Sequence, residues 1–432
     1  QADNAMQLQT SIYALFLFTA LAATDPATCQ VRLLRDIGPG SLPAFGKDTP
    51  VVSTGSHVYF VPQLEAAREL WVTDGSPAGT RRLRGFEEPQ DITAVGTRLY
   101  FSATETSTGR ELWVTDGSDA GTRRVTDLSR GPTDSIHEIY AAHRGMLFFA
   151  AYSTVKNRRQ MSFWRSDGSA VGTIRLAKRA FGTTSQRGRW KSVSLGEHLY
   201  FHSYKAREPG ELWRTDGSAR GTRRVYRLSA PWTSIRPEIA WKGRVWCSVV
   251  APAAEIWTSD GSTAGTKRFR GGHVEETSWI PSEDGDLYFA FAPSGVGRAD
   301  QLWRTDGSLA GTRVVSKQVF PAHGVGGSGN RILFAGKSSA QPQRSAELYS
   351  SDGSSLGTKR VSTQVQLAPA SGIARVGHGS LVAFQGIQGK AQSLWLSDGS
   401  ATGTRPAIHP SRIPDLQLKT WGLARAGEHF VV

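Results

Sequence analysis

One phrase of about fifteen residues recurs eight times along this chain. Residues 69–83 read ELWVTDGSPAGTRRL, 111–125 read ELWVTDGSDAGTRRV and 211–225 read ELWRTDGSARGTRRV. The shared Asp falls at Asp74, Asp116, Asp167, Asp216, Asp260, Asp306, Asp352 and Asp398, at spacings of 42, 51, 49, 44, 46, 46 and 46 residues. A period of this size fits one propeller blade or one helical repeat. The unit is rich in aromatic and β-branched residues, is punctuated by Gly, and lacks the long 3.6-residue periodicity a helical repeat needs to bury a face. Each unit is therefore expected to form four short strands. In unit 2 these are A around 92–96, B at 98–103, C at 111–115 and D at 122–128. On strand C, Leu112 and Val114 point one way while Trp113 and Thr115 point the other. Large apolar groups on both faces suit a sheet packed between two neighbours. The fold class expected is all-β: a single β-propeller of four-stranded blades.

The Asp-Gly-Ser of the phrase joins strands C and D. Asp accepts hydrogen bonds from backbone N–H groups just downstream, and Gly tolerates positive φ. Gly stands at both turn positions in all eight copies, for example Gly117 and Gly121. A catalytic residue is needed once, whereas a turn is needed in every blade. The eight Asp are thus read as turn residues. The rival is a ring of calcium sites, but calcium takes several carboxylates per ion and each turn offers one.

The phrase resembles that of the bacterial ELWxxDGT-repeat proteins, and the resemblance runs from about residue 30 to the end. Ser replaces the final Thr throughout, as at Ser76 and Ser118; Tyr349 replaces Trp, and Ser162, Gln301 and Ser393 replace Glu. The resemblance implies a secreted β-propeller and says far more about architecture than activity. The turn is also similar to the Asp-box hairpins of sialidase propellers, where it is structural.

Partial units stand at both ends. Residues 31–41 look like a strand D without its partners, and 420–432 look like strands A and B with no ELW after them. The tally is nine A–B pairs, eight C strands and nine D strands. Strands from both termini are expected to share one blade and close the ring, giving nine blades with one strand missing. Eight blades with a loose terminus is the alternative, since four to eight are typical.

Residues 1–28 fall outside the repeat and are read as a signal peptide or disordered leader, with 29–432 as the propeller. The apolar run at 11–24 has signal-peptide length and is short for a membrane span. The expected location is secreted, periplasmic or on the cell surface. Of the two cysteines, Cys29 invites a lipidation reading that the preceding residues fit poorly. Cys247 reads as a small buried hydrophobe.

The chain carries 51 Lys+Arg against 37 Asp+Glu, a net charge of +14. Part is built into the repeat. The residue after Gly-Thr is basic at Arg81, Arg123, Arg223, Lys267, Arg313, Lys359 and Arg405, and the next is basic at Arg82, Arg124, Arg175, Arg224, Arg268 and Arg360. Such a belt serves solubility and guards outer strand edges. Units 3 and 4 exceed the repeat's own charge. Lys156, Arg158, Arg159, Lys178, Arg179, Arg187, Arg189 and Lys191 cluster there with Trp190, and Lys205 and Arg207 follow. Several lie in longer loops, where rigid scaffolds place binding. The same residues can equally be a solvated face.

No catalytic motif stands out. There is no Gly-rich phosphate loop in a strand–helix context, no zinc spacing and no nucleophile elbow. No catalytic residue, metal or cofactor is assigned. The leading expectation is a non-catalytic binding or scaffolding propeller for an anionic ligand: polysaccharide, lipopolysaccharide, nucleic acid or an acidic protein. The alternative is a secreted hydrolase with its active site at the mouth of the central channel, since propellers also serve as enzymes.

Overall fold

A computed structural model describes residues 14–19, 30–36, 50–62, 69–83, 86–129, 131–155, 158–178, 191–203, 207–250, 254–274, 278–293, 301–328, 331–342, 345–362, 365–367, 373–375, 382–388, 391–406, 424–426 and 429–431. These contain strands and turns and no helix. They form nine antiparallel sheets, seven of four strands and two whose first strand is broken into two short pieces. Each sheet is a meander in which A pairs B, B pairs C and C pairs D. In unit 3 the strands are Ile136–His143, Met146–Val155, Arg158–Ser166 and Ile174–Ala177. The first strands of successive sheets pack side by side: Val51–Ser53 against Glu87–Val95, that against Ile136–His143, then Ser192–Leu195 and Ser234–Trp241. Sheets converging on their first strands are arranged as the blades of a propeller.

Among the described residues the apolar side chains form a core at each interface from units 1 and 2 to units 7 and 8. Between units 3 and 4, Phe148, Phe163, Leu199 and Phe201 are all 1% exposed or less, with Leu176 close to them. Burying each such side chain contributes about 1.5–3 kcal/mol. At this interface apolar side chains of both the second and the third strand are buried, as the strand C pattern predicts.

One feature of the ninth sheet departs from the sequence reading. Its strands are Ala424–Ala426, His429–Val431, Ala14–Thr19 and Gln30–Asp36, in that spatial order. Phe18 pairs with Val31 on one side and Phe430 on the other. The strand C that the tally lacked is supplied by residues 14–19, inside the segment expected to be a leader. The physical reason is a gap one strand wide between two edges whose backbone N–H and C=O groups need partners.

The Asp-Gly-Ser turns share one geometry. In unit 2 the Ser118 backbone N–H and hydroxyl both donate to Asp116 Oδ1, at 2.9 and 2.7 Å. Ser118 Oγ accepts from Gly121 N at 2.9 Å, and Thr115 and Thr122 hydroxyls join across the strand ends at 2.7 Å. The same bonds recur in all the other copies, from Asp74 to Asp398. Gly117 has φ +97°, and a Cβ on Gly121 would stand 2.1 Å from Asp116 Oδ1. The two glycines answer different demands: one backbone twist, one close approach.

The second basic residue after Gly-Thr lies opposite the aromatic of strand C, as Arg224 opposite Trp213. Its guanidinium reaches the Glu that opens the phrase. Arg82–Glu69, Arg224–Glu211, Arg268–Glu255 and Arg360–Glu347 pair at 2.6–2.8 Å. The Glu also accepts the indole N–H of Trp213 or Trp257. Four of the thirteen basic belt residues are therefore in cross-strand bonding within a sheet.

Candidate active site at the inner end of units 3 and 4

In a four-stranded meander the A–B and C–D turns lie at one end. The B–C loops and the links between sheets lie at the other. The basic cluster singled out from the sequence belongs to the loop end. Lys156, Arg179, Arg187, Arg189, Trp190 and Lys205 lie outside the described residues. Arg158 is exposed at the start of its strand. Arg159 donates to the Asp134 carbonyl at 2.5 Å and lies 3.9 Å over the Tyr152 ring. Lys178 is exposed, and its carbonyl accepts from Gln160 Nε2 at 2.9 Å. Arg207 is exposed with φ +69°. Lys191 is committed elsewhere: its Nζ stands 3.2 Å from Glu238 Oε2, a side chain 1% exposed, whose other oxygen accepts from Ser248 at 2.6 Å. That pair ties sheet 4 to sheet 5.

The turn end carries a different arrangement. His143 closes the first strand of unit 3, and Ser194 lies on the first strand of unit 4, Ser192–Leu195. His143 Nδ1 is 2.9 Å from Ser194 Oγ. The imidazole is 6% exposed, while Ser194 is open to solvent. Burial, reinforced by the Arg144 charge, holds the His143 pKa below its ordinary 6.5. The ring is thus neutral at pH 7 and able to take a proton. Its Nε2 is buried without a hydrogen-bond partner among the described residues, so no carboxylate there orients it. The serine hydroxyl and the imidazole form a hydrogen-bonded pair.

Neither residue belongs to the repeat. By register, Ser194 corresponds to Ala94, Ala142 and Ala240, and also to Ser53 and Arg375. His143 corresponds to Val95, Leu195 and Trp241. Units 3 and 4 differ in placing a His and a Ser at these neighbouring positions, facing each other across the sheets. This was the missed signal: a departure from the repeat at two positions 51 residues apart, each unremarkable alone.

The surroundings are polar. Arg144 of the turn after His143 ion-pairs with Glu197 of the turn after Ser194. Burial, with the Arg214 charge beside it, holds the His198 pKa below its ordinary value. Below it Met146 covers Gly217 of the next Asp-Gly-Ser turn, and Arg165 Nη1 donates to Met146 Sδ at 2.9 Å. Among the described residues no group of three or more His, Cys, Asp or Glu could hold a metal ion. Cys247 is a buried free thiol, its pKa pushed well up by desolvation.

No family model matches the chain, and no curated protein matches it. Solved structures do. A puromycin hydrolase is 15% identical over 75% of this chain and 53% of its own, at a TM-score of 0.42. A puromycin-hydrolyzing peptidase of Mycobacterium tuberculosis is 12% identical over 78% of this chain and 58% of its own, at 0.44. The β-propeller domain of the Trilobed protease from Pyrococcus furiosus is 12% identical over 72% of this chain and 97% of its own, at 0.36. The chain thus spans about half the length of the whole enzymes, and nearly all of the isolated propeller.

The expectation of a non-catalytic propeller for anionic ligands is corrected here. The neighbours are hydrolases and peptidases. The physical reason it misled lies in the local cluster: Lys191 is paired with Glu238, and Arg159 is held by the Asp134 carbonyl and the Tyr152 ring.

Proposed function

We propose that the chain is a hydrolase whose nucleophile is Ser194 and whose general base is His143, set at the turn-end mouth of the channel between the first strands. The observation that carries this reading is the 2.9 Å contact between an exposed serine hydroxyl and a buried neutral imidazole. Ser194 Oγ attacks a carbonyl carbon as its proton passes to His143 Nδ1. The tetrahedral intermediate collapses, and His143 returns that proton to the departing alcohol or amine. Water, deprotonated by the same nitrogen, then attacks the acyl-serine; as that intermediate collapses the acid leaves and His143 returns the proton to Ser194 Oγ. A base so placed contributes roughly 10²–10⁴-fold to rate.

A fluorophosphonate probe tests the reading on the full chain. Ser194 should carry the adduct by peptide mass, and His143→Gln should slow labelling about 100-fold or more. Labelling that survives Ser194→Ala at full rate overturns it. The pH profile is a second check. Protonation of His143 removes the base, and its pKa lies below 6.5, so the acid limb of kcat/KM should fall below that pH.

We also propose that the nine sheets close into one nine-bladed ring, with chain ends sharing the closing sheet. Supporting this, the first strand of the shared sheet, Ala424–Ala426, packs against Val51–Ser53 of unit 1.

A further inference from the structure

The turn beside the dyad holds a residue in the wrong place for its chemistry. Arg144 has φ +50°, the left-handed region, as the first residue of the tight turn between His143 and Met146. Units 2 and 4 place Gly96 and Gly196 there, at φ +60° and +56°. Glycine is the residue such a position favours. Lys242 shares the strained conformation, but its ammonium donates to the Asp306 carbonyl of the next sheet at 2.9 Å. Arg144 reaches a carboxylate instead, Glu197, three residues beyond Ser194. Both side chains are largely in water, 49% and 70% exposed, so the pair exchanges readily. The other cations around the dyad are turned away. Arg165 is held on Met146 Sδ, and Arg214 Nη1 donates to the Gly261 carbonyl at 3.1 Å.

We propose that Arg144 selects the substrate by its carboxylate: it leaves Glu197 and takes a carboxylate borne by the acyl group whose carbonyl Ser194 attacks. The planar guanidinium fork matches a carboxylate in two parallel hydrogen bonds, which an ammonium or a water-exposed turn cannot imitate. Preferred substrates are then short acyl esters or amides ending in a carboxylate, such as monoesters of a dicarboxylic acid. Glu197 occupies the place of that carboxylate when no substrate is present. This specificity rests on the hydrolase reading, but the carboxylate site itself does not.

Two measurements separate the two. Succinate is titrated into the full chain and the His143 and His198 imidazole resonances are followed by NMR. Wild type should show saturable shifts, Arg144→Gly should weaken binding about tenfold or more, and Glu197→Gln should tighten it. Glycine is the residue of the equivalent turns, so this variant keeps the turn; should it fail to fold, Arg144→Gln answers the same question. The second measurement is the ratio of kcat/KM for an aryl hemisuccinate over the aryl butyrate. It should fall about tenfold in Arg144→Gly. No shift with succinate, or equal binding in wild type and variant, overturns the inference and leaves Arg144 as an inter-sheet tie like Lys242. Arg144-dependent succinate binding in a chain whose Ser194 resists the fluorophosphonate keeps the carboxylate site and removes the hydrolase.

Discussion

Asp116 and Gly121 show how one residue type forces another across a turn. The Asp carboxylate folds over the turn to take two bonds from Ser118, which leaves no room for a Cβ at Gly121. Asp116→Ala should destabilise by about 0.5–2 kcal/mol, as loss of a capping acceptor does. Gly121→Ala should cost more alone than in the Asp116→Ala background, because removing the carboxylate opens the space. A double-mutant cycle by chemical denaturation reads this coupling; strict additivity would show that the contact is not tight. The same bonds hold the carboxylates of Asp116, Asp167, Asp216 and Asp260 below the ordinary 3.8. Their folded pKa is depressed, so the stability they add is present above the unfolded value and is lost as pH falls through the folded one. The melting temperature should therefore drop steeply only below about pH 4. A drop centred near pH 6 would assign acid lability to other groups.

At the scale of the element, four sheets dock on their neighbour's turn through a tyrosine. The hydroxyls of Tyr59, Tyr100, Tyr200 and Tyr288 reach the first turn glycine of the following sheet: Gly117, Gly168, Gly261 and Gly353. Strand B thus ends on the next sheet, and the turn glycine serves twist and contact together. A Cβ on Gly261 would stand 2.1 Å from Tyr200 Oη, in a backbone already at φ +90°. Gly261→Ala should lower the melting temperature markedly, and adding Tyr200→Phe should recover part of that loss. No recovery would mean that the backbone strain alone decides. Between units 3 and 4 this clasp is replaced, as it also is at Gly307 and Gly399: Phe148 takes the tyrosine's register position and Met146 covers Gly217. The dyad stands at that same interface. The turn and the strand order were legible in the repeat, because eight copies average out local noise; the Arg–Glu pairs within the basic belt were not. His143 and Ser194 were not, because two polar residues in separate units acquire meaning only when the sheets bring them within 2.9 Å.

For the whole molecule the question is closure. Each sheet buries its faces only against its neighbours, so an open ring exposes two apolar faces. Deleting residues 420–432 removes two strands of the shared sheet and uncovers the first strand of unit 1. The melting temperature of the truncated chain should fall sharply, with dye-binding apolar surface appearing. A truncated chain as stable as the full one would argue for an open arrangement. Sequence by itself determined the period, the four-strand unit and the chemistry of its turn, because those depend on interactions within about fifteen residues. Only the tertiary structure decided which strand fills the ninth sheet, which charges are spent on Glu69, Glu211, Glu238, Glu255 and Glu347, and which serine meets which histidine. Those depend on distances between units, and a repeat of near-identical units carries almost no information about which departures face each other until the sheets are placed side by side.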